Sequence, residues 1–449
     1  MSRSRALLWL ALALLGAAAC GRSEEPKIIR PPHPVSEPEP EDLGIGSPPT
    51  PDDLPRGIVL ALAQFRDERD EKTGKTTPVP GPARLEFLVR KGGVWHVTAL
   101  EDPESNVFHK AMTYGTGDAA RLLTLGGTAA KVKLWKPDGA GKLVAQTIWE
   151  KDFGGKFSRM RDAEVADLYG DGGASIAVAT HDQGVVAVLR PRGDAFEAVE
   201  LDHHPDTFVH EIEVGDLDGD GVLEVYATPS EPNRLDGSVQ SGEVVRYVPA
   251  RGGQRKVVAA LGDRHAKEIL VADVDGDGRD ELYVAVEGQV DANKVLVHPV
   301  EIRRYDAGTP PDAGKTIATL NDRQTRFLTA GDIEGDGHRE MVAASFSSGL
   351  WLLRPPKQPG GTWSTELIDA DSRGFEHAAI LTDLDGDGKD ELYVASDEHK
   401  QVRRYVWDGK HLVREVIYSR PDERSIFTWN LMPIPVGLAP ADDKSSLER

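Results

Sequence analysis

The chain has 449 residues, a single cysteine and a formal net charge of −21. A lone thiol excludes an internal disulfide framework. So large an acidic excess argues against a nucleic-acid partner, whose phosphates it would repel.

Residues 1–19 read as a processing segment. Arg3 and Arg5 give a basic start, Ala6 to Leu15 is apolar, and Gly16-Ala17-Ala18-Ala19 is a small-residue cleavage region. The apolar run is too short for an ordinary membrane-spanning helix. Cys20 follows directly, and the whole stretch resembles a bacterial lipoprotein signal. That resemblance implies an exported protein lipidated at Cys20 and attached to the cell envelope. Gly21 and Arg22 carry no aspartate retention signal of the enteric type, which points to the outer membrane. An ordinary signal peptide with a nearby cysteine is the alternative. Residues 20–56 are rich in Pro, Glu and Asp, cannot bury enough surface to fold, and are expected to form an extended, disordered tether.

Between residues 57 and 436 helical periodicity is nearly absent. Short β-branched and aromatic runs alternate with Gly, Pro, Asp and Asn, an all-β signature. One unit has four strands: A (His210–Gly215), B (Leu223–Ala227), C (Gly242–Tyr247) and D (Lys256–Ala260). Four antiparallel strands per repeat make the blade of a β-propeller.

Between strands A and B lies a stretch that recurs. It begins at Asp167, Asp216, Asp273, Asp332 and Asp383, and its clearest copy is Asp383-Leu384-Asp385-Gly386-Asp387-Gly388. Self-similarity at such a period indicates a propeller, solenoid or array. Oxygens at positions 1, 3 and 5 of a tight turn converge, a glycine at position 6 permits the turn, and a carbonyl at 7 and a carboxylate at 9 close the shell. A hard cation such as calcium takes six to eight such oxygens. The expected ligands are Asp216, Asp218, Asp220, the Val222 carbonyl and Glu224; Asp273, Asp275, Asp277, the Arg279 carbonyl and Glu281; Asp332, Glu334, Asp336, the His338 carbonyl and Glu340; and Asp383, Asp385, Asp387, the Lys389 carbonyl and Glu391. The Asp167 copy has Tyr169 at position 3 and Ser175 at position 9, so it is expected to bind weakly or not at all. The closing acid at position 9, not 12, separates these loops from an EF-hand. They resemble the calcium loops of FG-GAP/VCBS-type repeats in integrin-α-like β-propellers. A literal Phe-Gly…Gly-Ala-Pro motif is absent.

Strand B recurs seven times, at Ile58–Ala63, Leu122–Leu125, Ser175–Ala179, Leu223–Ala227, Leu282–Ala285, Met341–Ala344 and Leu392–Ala395. The first copy lacks a strand A before it, whereas residues 424–430 read as a strand A without its loop. The expected fold is therefore a seven-bladed monomeric propeller closed by pairing of its terminal strands, which removes exposed edges. Residues 437–449 read as a polar, disordered tail.

Six residues before each acidic loop lies a basic residue: Arg161, His210, Lys267, Arg326 and His377. Arg424 in the last strand A and His109 in the second blade extend the series. The expectation is a basic ring around the channel mouth opposite the acidic loops. It would either bind an anion, such as an acidic glycan or an acidic peptide loop, or pair with neighbouring carboxylates such as Glu164 and Glu213. Loops 65–82, 230–241 and 288–298 rise at the same mouth. The first is charge-rich and reads as solvated. The adjacent His203 and His204 point apart in an extended chain, and Trp95, Trp135, Trp149 and Trp407 read as packing.

No nucleophile elbow, phosphate-cradling glycine loop or HExxH motif is present. The expected role is a binding or adhesion module whose only cofactor is calcium. The alternative is an enzyme resembling a polysaccharide lyase, with the basic ring holding an acidic glycan and His210 or His377 as base.

Overall fold

The computed structural model describes residues 50–70, 74–127, 130–153, 158–231, 233–234, 236–358, 360–375, 377–421 and 426–441. Cys20, the leader and most of the tether lie outside them, as do Arg424 and residues 442–449.

The described residues form seven antiparallel blades. In blades 2 to 7 the chain lays down each sheet from its innermost strand outward. The inner strands are Phe108–Tyr114, Met160–Ala166, Val209–Gly215, Ala266–Ala272, Thr325–Gly331 and Ala379–Thr382. In blade 1 the inner strand comes from the other end of the chain: Ile426–Pro435 pairs with Arg56–Arg69. The seven inner strands touch in a closed circle, Ile426–Pro435 contacting both the Ala379–Thr382 and Phe108–Tyr114 strands. Closure by the terminal strands is as the sequence implies.

The strand pattern follows from burial. The second strands, such as Ser175–Thr180 and Glu391–Ser396, are buried along their whole length, so they read as apolar runs. Outer strands such as Lys256–Gly262 alternate between buried and exposed positions. Buried side chains gather in seven clusters, one between each pair of neighbouring blades. Each blade thus covers apolar surface on both faces, which a single sheet could not do alone. Trp135 is part of one such cluster and donates to Thr124 Oγ1 at 2.8 Å, a packing role.

Three boundaries differ from the sequence reading. The packed ring begins before residue 57: Leu54 is buried and its N–H donates to Arg90 O at 3.2 Å. Loop 65–82 is largely exposed, as expected, but not irregular: Phe65–Arg69 pairs with Thr76–Pro80 and extends the blade 1 hairpin. At the C-terminus Leu438 is buried and Ala439 packs against the core between blades 1 and 2. Local charge and proline content hid these contacts, which are made to distant segments.

Candidate functional site

Every inner strand of blades 3 to 7 runs from the channel mouth to an acidic loop, so each blade has two chemically distinct ends.

At the loop end, the position 1 aspartate organises the turn. Asp273 Oδ1 accepts from Gly276 N and Asp277 N at 2.8 and 3.1 Å, and Oδ2 accepts from Gly278 N at 2.9 Å. Asp216, Asp332 and Asp383 take equivalent bonds. The position 5 aspartate accepts from the N–H of position 7, at Val222, Arg279, His338 and Lys389. The second glycine of the turn sits at φ 79°, 86°, 86° and 89° in Gly221, Gly278, Gly337 and Gly388, a left-handed conformation that a side chain would strain.

Position 9 closes the loop from the second strand. Glu281 Oε2 accepts from Val274 N and from Tyr283 Oη, and Glu391 accepts from Leu384 N and Tyr393 Oη. Burial pushes the carboxyls of Glu281, Glu340 and Glu391 up to about 7.

In blades 5 and 7 one oxygen from each of Asp273, Asp275, Asp277 and Glu281, and from Asp383, Asp385, Asp387 and Glu391, falls within 4.8 Å of the others. In blade 4 the three aspartates converge likewise, while Glu224 is engaged by Tyr226 and Arg246. In blade 6 the four carboxylates do not gather to that distance. This all-oxygen donor set fits a hard divalent cation. The Asp167 loop keeps the turn, but Arg190 lies over the Tyr169 ring with its guanidinium 4.0 Å from the centroid and pairs with Asp171 at 2.5 Å.

Two partners of the loops were missed in the sequence. The first is an arginine on the third strand. Arg304 reaches Asp275 and Glu281 at 2.6 and 3.3 Å, Arg404 reaches Asp385 and Glu391 at 3.3 and 3.1 Å, and Arg246 pairs with Asp218 and Glu224. Each holds the position 3 and 9 carboxylates that a cation would share. The repeated Arg-Tyr dipeptides 246–247, 304–305 and 404–405 were the available signal. The second is the position 8 aspartate. Asp280 Oδ2 accepts from Asp216 N, and Asp390 Oδ2 from Asp332 N, both at 2.8 Å, so each ties its loop to that of the preceding blade.

At the mouth end, the inner strands carry a β-bulge. The pairing register skips His109, Arg161, Lys267 and Arg326, and slips at His210–Glu211. A bulge re-aims side chains and lets consecutive residues depart from strict alternation. In the closing strand the bulged residue is Trp429, which had not been singled out.

These basic groups are buried, not arrayed as an exposed ring. Arg161 donates to His210 O at 3.1 Å and to His210 Nε2 at 2.8 Å. The same Arg161 Nη2 lies 3.2 Å from His210 Nδ1, which also faces Lys267 O at 3.3 Å. Burial, with Arg161 and Lys267 nearby, holds His210 well below the usual imidazole range. His109 donates to Met160 O and stacks on His181 with 6.0 Å between centroids. Lys267 meets Glu231 at 3.4 Å. Arg326 lies over Phe375 at 5.3 Å. His377 stands apart from the others: Ser372 Oγ is 2.8 Å from Nε2, and Nδ1 is 2.9 Å from Ser345 O. Both nitrogens of His210 and of His377 are thus engaged within the protein, and both rings are buried.

Deeper in the channel lies an acidic tier. Lys110 holds Asp162 at 2.8 Å and Glu164 at 2.5 Å. Glu164 is therefore not the partner of a bulged basic residue. Glu211, Glu213 and Glu268 stand close by, and burial with mutual repulsion holds the carboxyls of Glu211 and Glu213 well above their usual range. His203 and His204 face different carboxylates, Glu200 and Asp202.

No protein-family model matches the chain. It is similar to integrin alpha pat-2 of Caenorhabditis briggsae, 24% identical over 229 residues, and of Caenorhabditis elegans, 25% identical over 231 residues. Each match spans 44% of this chain and only 18% of the relative. Among solved structures, a Dos1 propeller aligns with a TM-score of 0.46 and 11% identity, over 74% of this chain and 79% of that one. A nidogen/laminin complex aligns at 0.39 and 13%, over 71% and 99%. The chain is thus a seven-bladed propeller with weak homology to integrin α.

Proposed function

We propose that this chain is a calcium-stabilised propeller that acts as a binding or adhesion module of the cell envelope, anchored through Cys20 and presenting its channel mouth to a partner. The observation that carries this reading is the convergence of four carboxylates from one turn in blades 5 and 7. The integrin α similarity supports a binding role. Asp273, Asp275, Asp277 and Glu281, with their counterparts in blades 4, 6 and 7, would hold the ion. Calcium supplies charge neutralisation there and ties the inner strand to the second strand of its blade.

Calorimetric titration of the chelator-treated full chain with calcium tests the metal. Saturable binding with a stoichiometry of about three to four is expected. Absence of binding, or tighter binding of zinc than of calcium, overturns the assignment.

A further inference from the structure

Arg161 is 6% exposed, yet among the described residues no carboxylate lies within ion-pairing distance of it. Several other buried cations differ. Lys110, Lys133, Lys267, Arg264, Arg404 and Arg420 each meet an Asp or Glu. A buried charge without a carboxylate beside it is costly, so its remaining partners matter. The partners of Arg161 are a carbonyl, a neutral imidazole and the face of Trp429, whose ring centroid is 5.2 Å away. Among the described residues the Trp429 indole Nε1 is itself a buried donor with no hydrogen-bond partner. A cation with no carboxylate beside it and an N–H with no acceptor among the described residues therefore meet on the same ring.

The surroundings narrow the ligand. Rings line the mouth in an unbroken series: Phe65 on Phe427, Phe427 on Phe375, Phe375 on Trp429, Trp429 on His109, His109 on His181 and His181 on Phe208. All but the two imidazoles meet edge to face, and Arg161 lies over Trp429, so the indole is engaged by neighbouring rings and a cation. That disfavours a pyranose, which needs a free ring to stack on. Below the rings, Asp162, Glu164, Glu211, Glu213 and Glu268 would repel a polyanion threading the channel. One guanidinium matches one carboxylate; a chain of them would meet the acidic tier. On the same end of the ring, the loops between the second and third strands of blades 4 and 5 expose Val239 at 85% and Val295 at 55%, apolar surface suited to protein contact.

We propose that the mouth is a socket for a single carboxylate, an Asp or Glu side chain on a protruding loop of a partner protein. Arg161 is its cation and the Trp429 indole N–H a second donor. Guanidinium matches the planar carboxylate in geometry as well as charge. This inference rests on the binding-module reading and specifies its partner.

The test is a selection from disulfide-cyclised peptides of randomised sequence on the full chain with calcium, repeated on Arg161→Gln and Trp429→Phe. Asp or Glu should be enriched at one fixed position on the wild type. Replacing that acid by its amide should weaken the selected peptides at least tenfold, and Arg161→Gln should do the same. Trp429→Phe should weaken them several-fold. Arg161→Lys, with unchanged calcium stoichiometry and melting temperature, should recover part of the loss and so separates the socket from misfolding. Enrichment without an acid, acid enrichment that survives Arg161→Gln, or no enrichment at all overturns the socket. Capture of oligogalacturonate in preference to the peptides overturns the protein source. Acid-independent binders elsewhere on the surface would leave the binding-module reading standing without the socket.

Discussion

The inner strand of blade 4 begins beside His210, held between Arg161 and the Lys267 carbonyl, and ends at Asp216, whose carboxylate gathers the amides of its own turn. The loop end is built from neighbours in sequence, and its unbalanced charge is negative. The mouth end is built from side chains of different blades, and its unbalanced charge is Arg161. The contrast is between what each blade repeats and what the ring forms once. Each turn repeats because each blade needs the same closure. The mouth is formed once, by all blades together, and need not repeat: the bulged residue is histidine, arginine, lysine or tryptophan. A partner that reads the mouth reads the whole ring, whereas an ion reads one blade.

The largest expected effect separates the two ends by metal. Excess chelator should lower the melting temperature by about 10 °C or more, since each ion held well above its Kd adds about 2–3 kcal/mol. An unchanged melting temperature would place the carboxylate clusters outside the stability of the ring. Substitutions at the mouth should leave that chelator response intact.

The comparison sharpens at Arg404, buried between Asp385 and Glu391. Arg404→Met leaves two facing carboxylates uncompensated and should cost about 3 kcal/mol without calcium. Saturating calcium should recover most of that loss, because the ion takes over the same oxygens. Equal losses with and without calcium, by denaturant titration, would mean that ion and arginine do not share them.

Acid should act at the opposite end. His377 is fully buried, and desolvation pushes its pKa down to about 4. The unfolded imidazole titrates near 6.5, so the unfolded chain binds more protons between these values. The stability carried by neutral His377 is therefore complete above about pH 6.5 and falls as pH drops towards 4, by about 3 kcal/mol over the window. His377→Gln should flatten this part of the profile when stability is measured from pH 7 to 4. An unaltered slope would assign the acid response to other groups.

The smallest effect concerns the coupling between loops. A Cβ on Gly331 would lie 2.5 Å from Asp390 Oδ2, the oxygen that accepts the Asp332 N–H of the preceding blade. Gly331→Ala should cost about 1–3 kcal/mol through that clash. It should also weaken calcium in blade 6 more than in blade 4, a difference readable by titration of the variant. Uniform weakening would show the loops to be coupled beyond nearest neighbours.

How much was legible in the sequence follows the same division. The turn of the acidic loop is local: the Asp383 side chain bonds amides three to five residues on, so spacing alone exposes it. The all-β class, the blade count and the terminal closure were legible too, because strands buried on both faces must read as apolar runs and a repeat must be completed. Tertiary structure decided the rest. Arg246, Arg304 and Arg404 reach their loops across strand pairings whose intervening hairpins differ in length, so no fixed spacing marks them. Asp280 and Asp390 act on the neighbouring blade. A one-residue bulge sends Arg161 into the channel instead of the interblade core, and a closing strand from the far end of the chain sets Trp429 against it. Spacing within one segment carries the first kind of information; the meeting of segments hundreds of residues apart carries the second, because only the folded ring brings their side chains within bonding distance.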